Sequence, residues 1–142
     1  MIKLAILWSA LAGVVGAQDL TGTWKLTSAG EWRPNGERIA MYGEKPAGLL
    51  CYDAKGNVSM QIQLDRKTVG GTDYIAHFGR YKMDASTGAV THEVAGGNRP
   101  KDRGALVMMF VTLEGKRLTL GLLPERVEGE MRLRSLVWEK ID

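Results

Sequence analysis

The sequence predicts an all-β chain, an up-and-down antiparallel β-barrel of about eight to ten strands behind an N-terminal signal peptide. Three observations carry this. Residues 57–64, NVSMQIQL, alternate without a fault, with Val58, Met60, Ile62 and Leu64 on one side and Asn57, Ser59, Gln61 and Gln63 on the other. Only a strand with one wet and one buried face gives that period of two. Short turn signals then recur along the chain, PNGE at 34–37, DAKGN at 53–57, DASTG at 84–88, EGK at 114–116 and VEGE at 127–130, each with Gly or Asn where a tight turn needs positive φ. No convincing helix of three turns follows the first 17 residues.

The N-terminus comes first in order. Lys3 is followed by an apolar run from Leu4 to Val15, then by Val15-Gly16-Ala17, small residues of the kind that precede a cleavage site. Those 12 residues are too few to cross the hydrocarbon core of a bilayer, which needs about 20. Residues 1–17 therefore read as a secretory signal, and residues 18–142 as one exported domain with no stable membrane insertion after cleavage. No cysteine lies near the expected cut, which argues against a lipid anchor.

Strands are expected at 20–32, 37–42, 47–53, 57–65, 73–84, 88–95, 104–114, 117–123 and 131–139, the second being short. In the first, Trp24 reads as packing that closes one end of the barrel and floors a pocket. In 117–123, RLTLGLL, the residues Leu118, Leu120 and Leu122 share a face. Sequential hairpins favour closure, because closure removes exposed edges. Cys51 has no partner for an internal disulfide, and its run Leu49-Leu50-Cys51-Tyr52 reads as buried strand, so disulfide-linked dimers are not expected.

The stretch 74–94, YIAHFGRYKMDASTGAVTHEV, holds both histidines. With the DASTG turn pairing Asp84 to Ala89, Met83 faces Val90, Tyr81 faces His92 and Gly79 faces Val94. His77 then lies about 13 Å from Tyr81 along the strand, at ~3.3 Å per residue, so the two histidines are not expected to share a metal. A zinc site wants three or four Cys, His or carboxylate ligands, and no metal or other cofactor is expected. Tyr81 and His92 form a candidate polar pair inside an apolar cavity, able to orient a ligand carbonyl or to act as acid and base. Glu93, of opposite parity, should face solvent.

Formal charge is +3 for the whole chain with both signs interspersed, and Arg99, Lys101 and Arg103 read as a solvated turn, so no nucleic-acid partner is expected. The nucleophile elbow, the phosphate-binding loop, the dinucleotide fingerprint and the CxxC pair are all missing. The glycines at 69–72 and 96–98 do not open helices and cradle no phosphate.

The opening L-T-G-T-W-K-L at 20–26 is similar to that of many lipocalin-like barrels. The order YGEKPAGLLCYDAKGNVSMQI (42–62), YIAHFGRYKMDASTGAVTHEV (74–94) and LVWEK (136–140) resembles the bacterial and fungal lipocalin-like domain family, most specifically in Y-G-x-x-P-x-G-x-L-x-Y. The resemblance covers nearly all of residues 18–142 and implies a barrel around a central cavity, in which catalysis is a second role. Two departures stand out. The connection DRKTVGGTD at 65–73 is short, implying a more open mouth, and ALVMMFV at 105–111 is more apolar than the resemblance leads one to expect, implying a greasier interior.

The expected function is therefore an exported lipocalin-like barrel binding a small hydrophobic molecule, with Trp24, Met60, Ile62, Tyr81, His92 and Leu120 as the ligand-binding residues. The alternatives are a cofactor-free cyclase or isomerase in the same cavity, and a secreted interaction or inhibitor module acting through its loops. The polar loops rank the module last.

Overall fold

A computed structural model describes residues 18–66 and 73–142. The expected signal at 1–17 and most of the 65–73 connection lie outside the described residues. Among those described there are ten strands: β1 (Gly22–Trp32), β2 (Arg38–Ala40), β3 (Ala47–Tyr52), β4 (Asn57–Gln63), β5 (Tyr74–Asp84), β6 (Ala89–Gly97), β7 (Leu106–Glu114), β8 (Arg117–Leu122), β9 (Glu125–Val127) and β10 (Glu130–Lys140). A single 3₁₀ turn, Pro100–Asp102, joins β6 to β7.

Eight of these close into an antiparallel barrel in the order β1-β3-β4-β5-β6-β7-β8-β10, and β10 returns to pair with β1. Strands β2 and β9 stand outside the ring, as short flaps on β1 and β10. The closing seam runs from Trp24↔Lys140 to Trp32↔Leu133 with one irregularity between Leu26 and Ser28. Bulges of this kind bend a strand so that a sheet can curl on itself. The short piece expected at 37–42 is a strand of three residues, and the VEGE turn does join two strands, of which β9 was not foreseen.

Alternation sets the core. Val58, Met60, Ile62 and Leu64 are all buried, as are Leu118 and Leu120, while Leu122 is half-buried against them. Leu50, Ile62, Val90, Leu118, Leu120 and Trp138 have no accessible surface, so no void large enough for water touches them and side chains fill the middle of the barrel. Leu20 and Trp24 close the lower end, where Trp24 Nε1–H donates to the Leu20 carbonyl at 2.9 Å. The burial of Trp24 agrees with its reading as core packing.

Two expectations about faces need correction. On β3 only Leu50 and Tyr52 are buried; Leu49 is exposed and Cys51 is half-buried, its Sγ 3.8 Å from Thr23 Oγ1, because consecutive residues of a strand cannot share one face. On β7 the apolar residues are divided between the two faces, with Val107 and Val111 packed against the core beside Met109. Met109 is buried, but Leu106, Met108 and Phe110 point outward and are exposed at 71%, 39% and 45%.

Candidate functional site

The hairpin of β5 and β6 has the register its turn predicts: Asp84↔Ala89, Met83↔Val90, Tyr81↔His92 and Gly79↔Val94. Glu93 is exposed, also as expected. Beyond Gly79 the pairing slips by one, so that Phe78 faces Gly96 and His77 faces Gly97, leaving Ala95 as an extra residue on β6. Gly79 is what permits the slip. A Cβ at this position would stand 1.9 Å from the Glu93 carbonyl oxygen, so any larger residue would force the two backbones apart.

The consequence is a contact the spacing argument excluded: His77 Nε2 lies 2.9 Å from His92 Nδ1, with ring centroids 5.2 Å apart. The strand distance of ~13 Å measured backbone, not reach. Both rings lean toward each other on the concave inner wall. Gly79 between them and Gly97 opposite His77 contribute no side chains to block the way, and the bulge bends the strand there. The histidines are therefore neighbours. Among the described residues, no group of three or more His, Cys, Asp or Glu side chains is placed to hold a metal ion.

The other nitrogen of His92 is taken by a residue the sequence did not single out. Tyr52 Oη lies 2.6 Å from His92 Nε2. Tyr81, the expected partner, packs edge-on against the Tyr52 ring at 4.6 Å and donates its hydroxyl to the Asp53 carbonyl at 2.8 Å. The inward parity of Tyr52, two residues beyond Leu50 and opposite Val58 across the DAKGN turn, was the available signal. Tyr52 stands on β3, with β4 between it and the hairpin whose register was read.

Tyr52, His92 and His77 thus form a buried chain, 2%, 0% and 7% exposed. Burial, with the neighbouring His77 second, pushes the His92 pKa down to about 3, burial lowers that of His77, and burial raises that of Tyr52. All three are neutral at pH 7. A neutral imidazole has one donor and one acceptor, so the arrangement that gives every proton a place has Tyr52 O–H donating to His92 Nε2 and His92 Nδ1–H donating to His77 Nε2. The reverse order would leave the Tyr52 proton without an acceptor. Such a chain orders the barrel wall and relays hydrogen-bond polarity toward His77, but it offers no open atom of His92 to a substrate.

The other expected ligand contacts, Trp24, Met60, Ile62 and Leu120, all belong to the packed interior. Among the described residues, open space lies above them, at the end of the barrel opposite Trp24. A cavity of about 440 Å³ is floored by Leu64 and Ile75 and walled by Ile39, Met41 and Tyr42. It is within the size range of small-molecule sites. The segment between β2 and β3, which carries Met41 and Tyr42, is held to the barrel by Met41 N–H donating to the Ala29 carbonyl at 3.1 Å and Asp65 N–H to the Tyr42 carbonyl at 2.8 Å. No protein-family model matches this chain, and no curated protein matches its sequence, so the functional reading rests on the barrel and its open end.

Proposed function

We propose that this chain is an exported lipocalin-like barrel that binds a small hydrophobic molecule, seated in the open end of its interior. The observation that carries the proposal is the asymmetry of a closed barrel: packed through the middle, shut below by Leu20 and Trp24, and open above into an apolar-floored cavity of about 440 Å³. Export is supported by the apolar run Leu4 to Val15 and the small residues before Gln18. Met60 and Ile62 lie on the same strand face as the cavity floor at Leu64 and would support the ligand from beneath. The cyclase or isomerase alternative, through Tyr81 and His92, requires a ligand to touch His92, which has no accessible surface, while the Tyr81 hydroxyl is given to the Asp53 carbonyl; binding at the open end requires neither contact.

The test is titration with a neutral apolar fluorophore, N-phenyl-1-naphthylamine. A blue-shifted, saturable signal is expected from the wild type. It should be lost in Leu64→Trp, which fills the cavity from the floor, and in Ile39→Trp, which fills it from β2 outside the ring. Absence of binding in the wild type, or binding unchanged in both folded variants, would overturn the proposal. Intact-mass measurement on protein from the envelope or medium of its host should find a chain starting at or near Gln18; a retained Met1 would sink the export claim.

A further inference from the structure

The cavity at the open end has a second kind of lining. Besides Tyr42, the cavity is lined by three arginines, Arg66, Arg99 and Arg134, brought from just beyond β4, the turn after β6, and β10. Tyr42 itself is placed by Gly43, whose φ is +90° and whose Cβ position lies 1.9 Å from the Asp65 carbonyl oxygen, so that only glycine lets the segment lie this close to the barrel.

We propose that this arginine-lined side of the cavity receives the carboxylate of an amphipathic organic acid whose apolar body lies on Leu64, Ile75, Ile39 and Met41. The inference rests on the binding reading above and names its ligand class. The charge arrangement supports it. Glu31, the one carboxylate lining this cavity, is engaged by Arg132 at 3.0 Å. Asp102 is held by Arg99 at 2.6 Å, and Glu125 by Arg134 at 2.5 Å. Asp65 accepts from the Lys45 N–H at 3.0 Å. Among the described residues, Arg66 has no carboxylate within ion-pair distance, and Arg134 uses only Nη2 while its buried Nε has no partner. Arg66 and the Arg134 Nε are thus donors without a protein acceptor among the described residues.

The Tyr42 hydroxyl adds a neutral donor. Burial raises its pKa and outweighs the opposing pull of the three guanidiniums, so it keeps its proton at neutral pH and can donate to an anion. A planar carboxylate meeting a guanidinium fork and a phenol O–H forms short, charge-assisted hydrogen bonds. A wholly apolar ligand would leave these groups without a partner.

Displacement of N-phenyl-1-naphthylamine by decanoate and by decanol separates the claims, because the two differ only in the head group. Decanoate is expected to displace the probe at least ten-fold more effectively than decanol. Arg66→Gln and Arg134→Gln should each cut that preference several-fold while leaving decanol unchanged, and Tyr42→Phe should cut it less. If probe and decanol bind but decanoate gains nothing, or if its advantage survives in both arginine variants, the carboxylate site is overturned and the binding reading stands. If probe, decanol and decanoate all fail to bind the folded protein, the binding reading falls with it. Arg66 lies at the surface, so its variant carries the test even where Arg134→Gln disturbs the fold.

Discussion

His77 and His92, fifteen positions apart in sequence, share one hydrogen bond inside the barrel wall, Nε2 to Nδ1 at 2.9 Å. Neither can take a proton there without burying a charge beside the other ring.

This makes acid the natural solvent stress. Both folded-state pKa values are depressed, that of His92 to about 3, against about 6.5 in the unfolded chain. Below 6.5 the unfolded state binds protons that the folded state does not, so stability is fully present above 6.5 and is lost as pH falls toward the folded values. The slope should approach ~1.4 kcal/mol per pH unit for His92, with His77 adding in the same direction. The exposed Asp53 and Asp84 carboxylates are held below the ordinary carboxylate value by hydrogen bonds to Asn57 and to Ser86, and add to the loss in acid in the same direction. Urea unfolding at pH 7, 6 and 5 measures this, and a flat profile would refute it.

Tyr52→Phe leaves the acceptor His92 Nε2 without its donor and should cost about 1–3 kcal/mol. His92→Leu leaves both the Tyr52 hydroxyl and His77 Nε2 without a partner. In the double variant Tyr52→Phe/His92→Leu the loss should be smaller than the sum of the singles by ~0.5–3 kcal/mol, the range seen for residues in contact. Additive losses in urea unfolding would mean the bond contributes nothing.

Gly79→Ala should destabilise by at least ~2 kcal/mol, since the added methyl meets backbone rather than a movable side chain and β6 must shift. It should also part the two imidazoles. Nitrogen-15 spectra of the histidine rings would report that separation; unchanged tautomers in a folded Gly79→Ala protein would contradict the role given to the bulge.

Neighbouring methionines on β7 test the assignment of its faces. Met109→Ala should cost about 2–5 kcal/mol as a core truncation, whereas Met108→Ala on the outer wall should stay within ~0.5 kcal/mol. Comparable losses would contradict this assignment, and reversed losses would mean the faces are exchanged.

The barrel was legible where a rule had one outcome. Faultless alternation at 57–64 and a defined turn at 84–88 placed β4 and the β5–β6 register from Asp84 back to Gly79. The site was less so, because its contacts depend on what a one-dimensional pattern omits. A bulge at Gly79 is a local steric event with no period. The meeting of Tyr52 with His92 joins two strands that are not neighbours in the sheet, and depends on the curvature of the closed wall. Tyr42 and the three arginines come from separate connections and strands, and only closure gathers them at one end. The outward Leu106, Met108 and Phe110 show the converse limit: hydrophobic composition does not by itself say which side of a strand is buried.

The seam between β1 and β10 has a temporal meaning. Every other joint of the ring links strands that lie close in the chain, so hairpins from β3 through β8 can form as soon as they are made, whereas β1 must wait for the last strand to be synthesised before its second edge is covered. Until then Trp24 to Trp32 presents an unpaired ladder to any strand that passes. A nascent chain stalled before residue 130 should therefore bind a holdase chaperone and be cut readily by protease, and release of the following eleven residues, Glu130–Lys140, should end both together.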